Sequence, residues 1–260
     1  MKAIYGPVAS WRLKRSLGID PLCSNEKICS FDCIYCQLGK GRKTYKRQEF
    51  ISLERLKRDL KFFKENNYLK KEKADVLTFS GTGEPTLAKN LNDIISYLRN
   101  VSNLPLAILT NSSLLSKKDV QNSLCKLDIV IAKLDAPNET IFRAINRPCK
   151  GVTFKKYLQG IKNFREIYPG KFALQIMFVK ENKEYTEEIV NVARRLKPDV
   201  VQVNTPLRPC QTNPLGREEI RDIKDAFSDF KNVISVYESK IPEVMPFDLN
   251  EIKKRKRPKP

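Results

Sequence analysis

The sequence predicts an α/β fold, a partial (β/α)6 TIM-like barrel, and three observations carry that expectation. Apolar, β-rich runs of seven to ten residues alternate with helix-periodic segments from residue 74 to 207, the pattern of βα units on a parallel sheet. Polar motifs follow the strands directly, where parallel α/β folds place their sites. The strand count stops at six, short of the eight of a full barrel.

The first strand is expected in "RSLGIDP" (15–21), just before a cysteine-rich loop. "SLERLKRDLKFFKEN" (52–66) has apolar residues at helical spacing behind a Ser52 cap, with Glu54 in the first turn. "ADVLTFS" (74–80) reads as strand, "LNDIISYLRN" (91–100) as helix and "PLAILTN" (105–111) as strand. "KKDVQNSLCKL" (117–127) is helical and "DIVIAKLDA" (128–136) extended. A helical tract over 139–167 breaks near "NRPCKG", and "KFALQIMFVK" (171–180) is strand. "TEEIVNVARRL" (186–196), "DVVQVNTPL" (199–207) and "REEIRDIKDAFSDF" (217–230) complete the series as helix, strand and helix. Residues 1–230 are expected as the core domain and 231–260 as a C-terminal extension. Its basic tail "KKRKRPKP" (253–260) is expected to be a disordered arm.

At 260 residues the chain buries a full core, and no apolar run approaches the roughly 18–20 residues of a membrane span. The N-terminus is broken by Gly, Pro and Arg and does not read as a signal peptide, so a cytoplasmic location without membrane partners is expected. Seven cysteines in a reducing compartment favour metal or redox chemistry over disulfides. Histidine is absent, which excludes His-based triads and facial triads. Acid–base work near neutrality then needs a shifted Asp, Glu, Lys, Cys or Tyr. The net charge of +19 sets up a field that attracts phosphate, so RNA is the expected partner class. The alternative is a diffuse, solubilising charge.

"ICSFDCIYCQLGKG" (28–41) holds Cys29, Cys33 and Cys36 with the spacing Cys-x3-Cys-x2-Cys. A structural zinc site closes with four ligands. Either a distant cysteine completes this one, or it stays open. "GTGEP" (81–85), "LTNSSLL" (109–115) and "AKLDAPNE" (132–139) follow the second, third and fourth strands. All four motifs therefore fall on one rim, and that agreement is stronger than any motif alone.

These motifs together resemble the radical S-adenosylmethionine (SAM) superfamily, over residues 5 to about 230. The resemblance implies that Cys29, Cys33 and Cys36 hold three irons of a [4Fe–4S] cluster and leave the fourth iron for SAM. Thiolates suit such clusters. Tyr35, just before the last cysteine, is then expected between cluster and barrel. "GTGEP" is similar to the superfamily's glycine-rich SAM-binding segment, which implicates Gly81, Thr82, Gly83 and Glu84; Thr82 departs from the usual pattern and lengthens the loop. Thr110 and Asn111 are implied to bond polar groups of SAM, with Ser112 where glycine is usual; an ordinary Asn-Ser turn capping the next helix is the alternative. Lys133 and Asp135 share a strand face. They are implied for the SAM carboxylate and ribose, or else form a structural salt bridge.

"YGPVASWRLKRSLGID" (5–20), "FSGTGEPTL" (79–87), "KLDAPNETIFRAINRP" (133–148) and "VNTPLRP" (203–209) further resemble the wyosine-synthetase-related Fe–S oxidoreductases. That implies cleavage of SAM to a 5′-deoxyadenosyl radical, modification of a tRNA base, and an external one-electron donor such as flavodoxin or ferredoxin. The competing readings are a radical SAM activase or maturase acting on a protein, and a non-catalytic iron–sulfur electron carrier. Cys23, Cys149 and Cys210 are expected on loops near the mouth, as a second site or as free thiols, and Cys125 in the core. Arg12, Lys14 and Arg15, with "GKGRKTYKR" (39–47), are expected to flank the mouth, where basic groups position phosphate and Tyr45 stacks a base. A solvated charged loop is the alternative.

Overall fold

The computed structural model describes residues 1–255. The chain opens with two antiparallel strands, β1 (Ile4–Ser10) and β2 (Lys14–Ile19), followed by a short pair, β3 (Lys27–Cys29) and β4 (Gly41–Lys43), that brackets the cysteine loop. Helix α1 (Leu53–Glu65) starts where the Ser52 hydroxyl accepts the Arg55 N–H, and buries Leu56, Leu60 and Phe63. Alternation then sets in: β5 (Val76–Phe79), α2 (Leu91–Val101), β6 (Leu106–Thr110), α3 (Lys118–Leu124) and β7 (Ile129–Lys133). The tract 139–167 divides as expected into α4 (Glu139–Asn146) and α5 (Phe154–Ile167), because Arg147 adopts a left-handed conformation with φ 44°. β8 (Lys171–Met177), α6 (Thr186–Leu196), β9 (Val200–Asn204), α7 (Arg217–Asp225), β10 (Val233–Ser235) and α8 (Leu249–Lys254) complete the chain.

One eight-stranded sheet runs in the order β1-β2-β5-β6-β7-β8-β9-β10, antiparallel only between β1 and β2. It curls into a half-barrel with helices outside, the expected partial TIM-like fold. Two edge strands were not legible in the sequence. β1 carries Gly6-Pro7, which reads as a breaker but is tolerated on an edge, and β10 is three residues long.

Period-two alternation divides each strand between two environments. Leu77, Phe79, Leu106, Ile108, Val130, Leu174, Val201 and Val203 join the main core with the helices. Leu13, Val76, Ala107, Ile131, Ala173 and Val200 form a second cluster inside the barrel, near the amino ends of the strands. One step up the same faces the residues turn polar: the Ser16 and Thr78 hydroxyls bond at 2.6 Å, and Lys133, Gln175 and Gln202 follow around the curve. The barrel is closed by aliphatic side chains at one end and lined by polar ones toward the other.

Leu13 in the lower cluster corrects one expectation. Arg12, Lys14 and Arg15 sit at the amino end of β2, opposite the cysteine loop, and the Arg15 guanidinium is engaged by Asp75 at 3.0 Å. The tail also differs from a disordered arm in its first residues: Lys253 and Lys254 belong to α8, and Arg255 is fully buried. Residues 256–260 lie outside the described part. No helix among the described residues is long and apolar enough to cross a membrane.

Candidate functional site

The cysteine loop lies across the carboxyl ends of the strands and is tied on three sides. Toward β5, the Ile28 N–H donates to Thr82 O at 3.0 Å and the Glu84 N–H to Ile28 O at 3.0 Å. Toward α4, Asp32 N donates to Asn146 O at 3.0 Å and Ile34 N to Ile145 O at 2.9 Å. Toward the segment after β9, Gln211 N donates to Ile34 O at 3.0 Å, and Arg208 bonds Gln37. Backbone pairing thus positions Cys29, Cys33 and Cys36 over the mouth.

Two side-chain amides are aimed at the sulfurs. Asn111 Nδ2 lies 3.3 Å from Cys29 Sγ, and Asn146 Nδ2 lies 3.5 Å from Cys33 Sγ; the Phe31 N–H reaches Cys29 Sγ at 3.4 Å. Such donors suit a thiolate, which accepts, better than a thiol. Burial, with Asp135 nearby, pushes the Cys33 thiol up to about 11. Burial and Glu84 push Cys29 up as well. Thiols held this way are inert until a metal displaces their protons. Among the described residues, no three Cys, Asp or Glu side chains converge as a single metal ion requires. Three soft donors on one loop, spread rather than convergent, fit a cluster in which each thiolate meets its own iron.

The glycine segment is shaped by close approach. A Cβ at Gly83 would stand 1.7 Å from the Ile28 carbonyl oxygen, and one at Gly81 2.1 Å from the Asp20 carboxyl carbon. Thr82, the unexpected residue, turns inward: its hydroxyl donates to Asp20 at 3.1 Å and its oxygen accepts the Ser24 N–H at 3.1 Å. Glu84 is buried, and its carboxylate accepts from Thr86 N at 3.1 Å, Thr86 Oγ1 at 2.7 Å, Thr110 Oγ1 at 2.7 Å and Asn111 N at 2.6 Å. Burial raises its pKa, and these donors oppose the rise. Ser112, where glycine is usual, adopts φ 69°, and its Oγ accepts the Lys133 N–H at 3.0 Å.

A second carboxylate organises the opposite side. Asp135 accepts from Lys133 Nζ at 3.0 Å, Met177 N at 2.8 Å, Asn146 Nδ2 at 2.8 Å and the Tyr35 hydroxyl. Lys133 Nζ also sits 4.7 Å from the centre of the Tyr35 ring. Tyr35, Lys133, Asp135 and Asn146 therefore form one network beneath Cys33. Glu84 and Asp135 are both engaged by internal donors.

Sequence reasoning missed Asn146, Tyr157, Gln175, Gln202 and Asn204. Tyr157 donates its hydroxyl to the Lys133 carbonyl. Gln202 is buried with Oε1 unpartnered among the described residues. The signal for the last three was present: Gln175, Gln202 and Asn204 share the barrel-facing phase of two otherwise apolar strands. Asn146 carried no local signal, since only the return of α4 beneath the cysteine loop brings it to Cys33.

The other four cysteines are distributed over the fold. Cys23 donates to Met1 O at 3.2 Å, and Cys210 to Thr212 O at 3.0 Å. Cys149, through its backbone N–H, bonds Ser30 O at 2.9 Å beside the cysteine loop. Cys125 is half-buried against the main core. Among the basic residues, Arg47 is engaged by Thr86 O at 2.9 Å, Ala88 O at 3.0 Å and Asp119. Tyr45 donates to Ser113 O at 3.1 Å, and Lys117 lies over its ring. Arg42, Lys43 and Lys46 are exposed beside the loop, as are Arg147 and Lys150 across it; Lys43 Nζ reaches Arg147 O at 3.4 Å.

Residues 27–193 match the radical SAM superfamily. A UPF0026 protein of Methanocaldococcus jannaschii is 37% identical over 255 residues, 96% of this chain and 77% of the relative. SuiB of Streptococcus suis, in a crystal structure bound to S-adenosylmethionine, superposes with a TM-score of 0.64 at 16% identity, over 86% of this chain. This chain spans about half of SuiB's length, 50%. An archaeal TYW1 superposes with a TM-score of 0.53 at 14% identity, over 83% of this chain and 72% of that one. The two structural likenesses bear on fold. The match across the cysteine loop, the curled parallel sheet and the long alignment to a UPF0026 relative agree: the chain belongs to the radical SAM superfamily, as an enzyme whose cofactors are a [4Fe–4S] cluster and S-adenosylmethionine.

Proposed function

We propose that this radical SAM enzyme modifies a base of RNA, with tRNA as its substrate. The observation that carries the reading is the exposed basic rim of Arg42, Lys43, Lys46, Arg147 and Lys150, which surrounds the cysteine loop in a chain of net charge +19. Cations fixed there hold phosphate and leave base recognition to the polar interior. The archaeal TYW1 neighbour, related here by fold, is in keeping with this reading.

In this proposal Cys29, Cys33 and Cys36 hold the cluster. When bound, the cluster would supply the electron for reductive cleavage of SAM, the source of a 5′-deoxyadenosyl radical able to take hydrogen from an unreactive C–H bond. The chain's own residues do the rest. Gly81, Thr82, Gly83 and Glu84 present a backbone edge to SAM, and Glu84 sets that edge by fixing Thr110 and Asn111. Asn111 and Asn146 stabilise thiolate charge on Cys29 and Cys33 by N–H···S bonds. Asp135 orients Lys133 and Tyr35, and Lys133 supplies a cation for the SAM carboxylate. Gln175 and Gln202 offer hydrogen bonds to whatever enters the barrel, and the surrounding walls exclude water from the radical. The one-electron donor is proposed to be a flavodoxin or ferredoxin, drawn by the same basic field.

Anaerobic mass spectrometry of bulk tRNA from a deletion strain tests the reading. A nucleoside lost on deletion and restored by the wild-type gene, but not by Cys33→Ala, is the expected result. An unchanged nucleoside profile sinks it and moves the substrate to a protein.

A further inference from the structure

The last described residue of the chain reaches the segment proposed to hold SAM. Arg255 is fully buried, although it lies in a run that reads as a solvated basic tail. Its Nε lies 3.1 Å from Asp20 Oδ2, its Nη1 3.0 Å from Glu251 Oε2, and its Nη2 2.5 Å from the Lys2 carbonyl oxygen; the guanidinium stacks 4.3 Å from the centre of the Tyr5 ring. Each of its three nitrogens is therefore bonded, to Asp20 just after β2, to Glu251 on α8 and to Lys2 just before β1.

Asp20 is the other half of the linkage. Its carboxylate is buried too, and accepts from Thr82 N at 3.2 Å, Thr82 Oγ1 at 3.1 Å, Leu22 N at 3.2 Å and Cys23 N at 3.0 Å. It fills the space a side chain at Gly81 would need. Thr82 in turn accepts the Ile28 N–H through its carbonyl, one residue before Cys29. An unbroken path of bonds thus runs from Arg255 through Asp20 and Thr82 to the cysteine loop.

We infer that Arg255 is a positioning residue for cofactor binding, a C-terminal clamp that holds the 81–84 segment in its SAM-ready shape through Asp20. The inference rests on the reading of 81–84 as the SAM-binding segment. The physical reason lies in the alternatives open to Asp20. With Arg255 in place, a buried carboxylate is neutralised and stays to accept the Thr82 N–H. Without it, Asp20 is a buried charge with no counter-ion, and the relief open to it is to turn toward water. That movement releases Thr82. Glu251 and Lys2 hold the other two nitrogens, so α8 and the residues leading into β1 set where the clamp sits.

The test uses the full chain as Arg255→Gln, with Arg255→Lys as the milder variant should the first fold poorly, and Asp20→Asn alone and combined with Arg255→Gln. Hydrogen exchange at residues 81–84 of the protein as isolated reads the linkage without any cofactor. SAM affinity of the cluster-loaded protein reads its consequence. The expected results are faster exchange at 81–84 and SAM binding weakened at least tenfold for Arg255→Gln, with iron content unchanged and Arg255→Lys recovering part of the affinity. Asp20→Asn is expected to mask the added effect of Arg255→Gln on SAM binding, because the clamp acts through the Asp20 charge. Arg99→Gln, which breaks the Arg99–Asp128 ion pair at the far end of the sheet, is the control and leaves SAM affinity unchanged. Unaltered exchange at 81–84 overturns the clamp itself. Faster exchange with unaltered SAM affinity overturns instead the assignment of 81–84 to SAM, and the positioning role with it.

Discussion

Asn111 and Glu84 are joined by a 2.6 Å bond from backbone N–H to carboxylate, while the Asn111 side chain reaches Cys29 Sγ at 3.3 Å. The glycine segment after β5, the turn after β6 and the cysteine loop therefore answer to one buried carboxylate. Glu84 is more than a ligand group: it is the acceptor that holds the turn carrying Asn111.

Glu84→Ala is accordingly expected to do more than weaken SAM binding. It strands the donors on Thr86, Thr110 and Asn111 in a buried site, at a cost on the order of 3 kcal/mol. Urea unfolding and iron content, measured together with SAM affinity, check this. A variant of full stability and full iron content would return Glu84 to a simple ligand role.

Cys29→Ala, Cys33→Ala and Cys36→Ala are each expected to lose the cluster, about four irons per chain. Iron and sulfide assays after anaerobic reconstitution decide the point. Cys149→Ala and Cys210→Ala are expected to retain iron, since three thiolates of the loop suffice for the cluster and the Cys210 thiol already bonds Thr212 O.

Gln202→Leu separates stability from function. Its buried Oε1 lacks a partner among the described residues, and removing an unsatisfied acceptor gains about 1 kcal/mol, or roughly 2–4 °C in melting temperature. Activity is expected to fall, because the proposed function gives that oxygen a hydrogen bond to the bound ligand. A variant with lower stability and normal turnover would contradict both halves.

RNA binding is expected to weaken steeply with salt through counterion release. Arg42→Ser, Lys43→Ser, Lys46→Ser and Lys150→Ser combined should flatten that slope without altering SAM cleavage. Arg47 stays out of the set because Thr86, Ala88 and Asp119 already engage it. Arg15→Ser, on the opposite end of the barrel, serves as the control. Absence of tRNA affinity for the wild type at low salt would remove RNA as the substrate.

The C-terminal ion network gives a pH prediction. Burial pushes the Glu251 carboxyl up, but Lys254, the Lys2 N–H and Arg255 outweigh it and bring the pKa down to about 2. A folded-state pKa below the unfolded one means that the stabilisation is present above about pH 4.5 and is lost as pH falls toward 2. At about 1.4 kcal/mol per unit the full shift corresponds to about 3.5 kcal/mol, and screening at the exposed Lys254 side brings the contribution to the order of 2–3 kcal/mol. Glu251→Gln is expected to lower stability at pH 7 and to flatten its fall between pH 5 and 2, read by urea unfolding across that range. An unchanged acid limb would place the pH dependence elsewhere.

The sequence alone determined the parts that depend on local order. Strand and helix periodicity, the Ser52 cap and the break at 147–153 arise from side chains a few residues apart, so α1, α4, α5 and the strands β2 and β5 to β9 are legible in the amino-acid order itself. So is the open three-cysteine loop, because its spacing is a property of contiguous residues. Only tertiary structure decided which distant groups meet. It put Arg12, Lys14 and Arg15 at the wrong end for the mouth, because strand direction, not nearness in sequence to Cys29, sets the end of the barrel. It brought Asn146 to Cys33 across 113 positions and Arg255 to Asp20 across 235. It made Glu84 and Asp135 the buried acceptors for donors on neighbouring loops. Burial is the physical reason for the meetings of Asn146, Arg255, Glu84 and Asp135 with their partners. A charged or amide side chain withdrawn from water must find its partners inside the fold, and those partners are chosen by how the sheet curls, which no single stretch of sequence records.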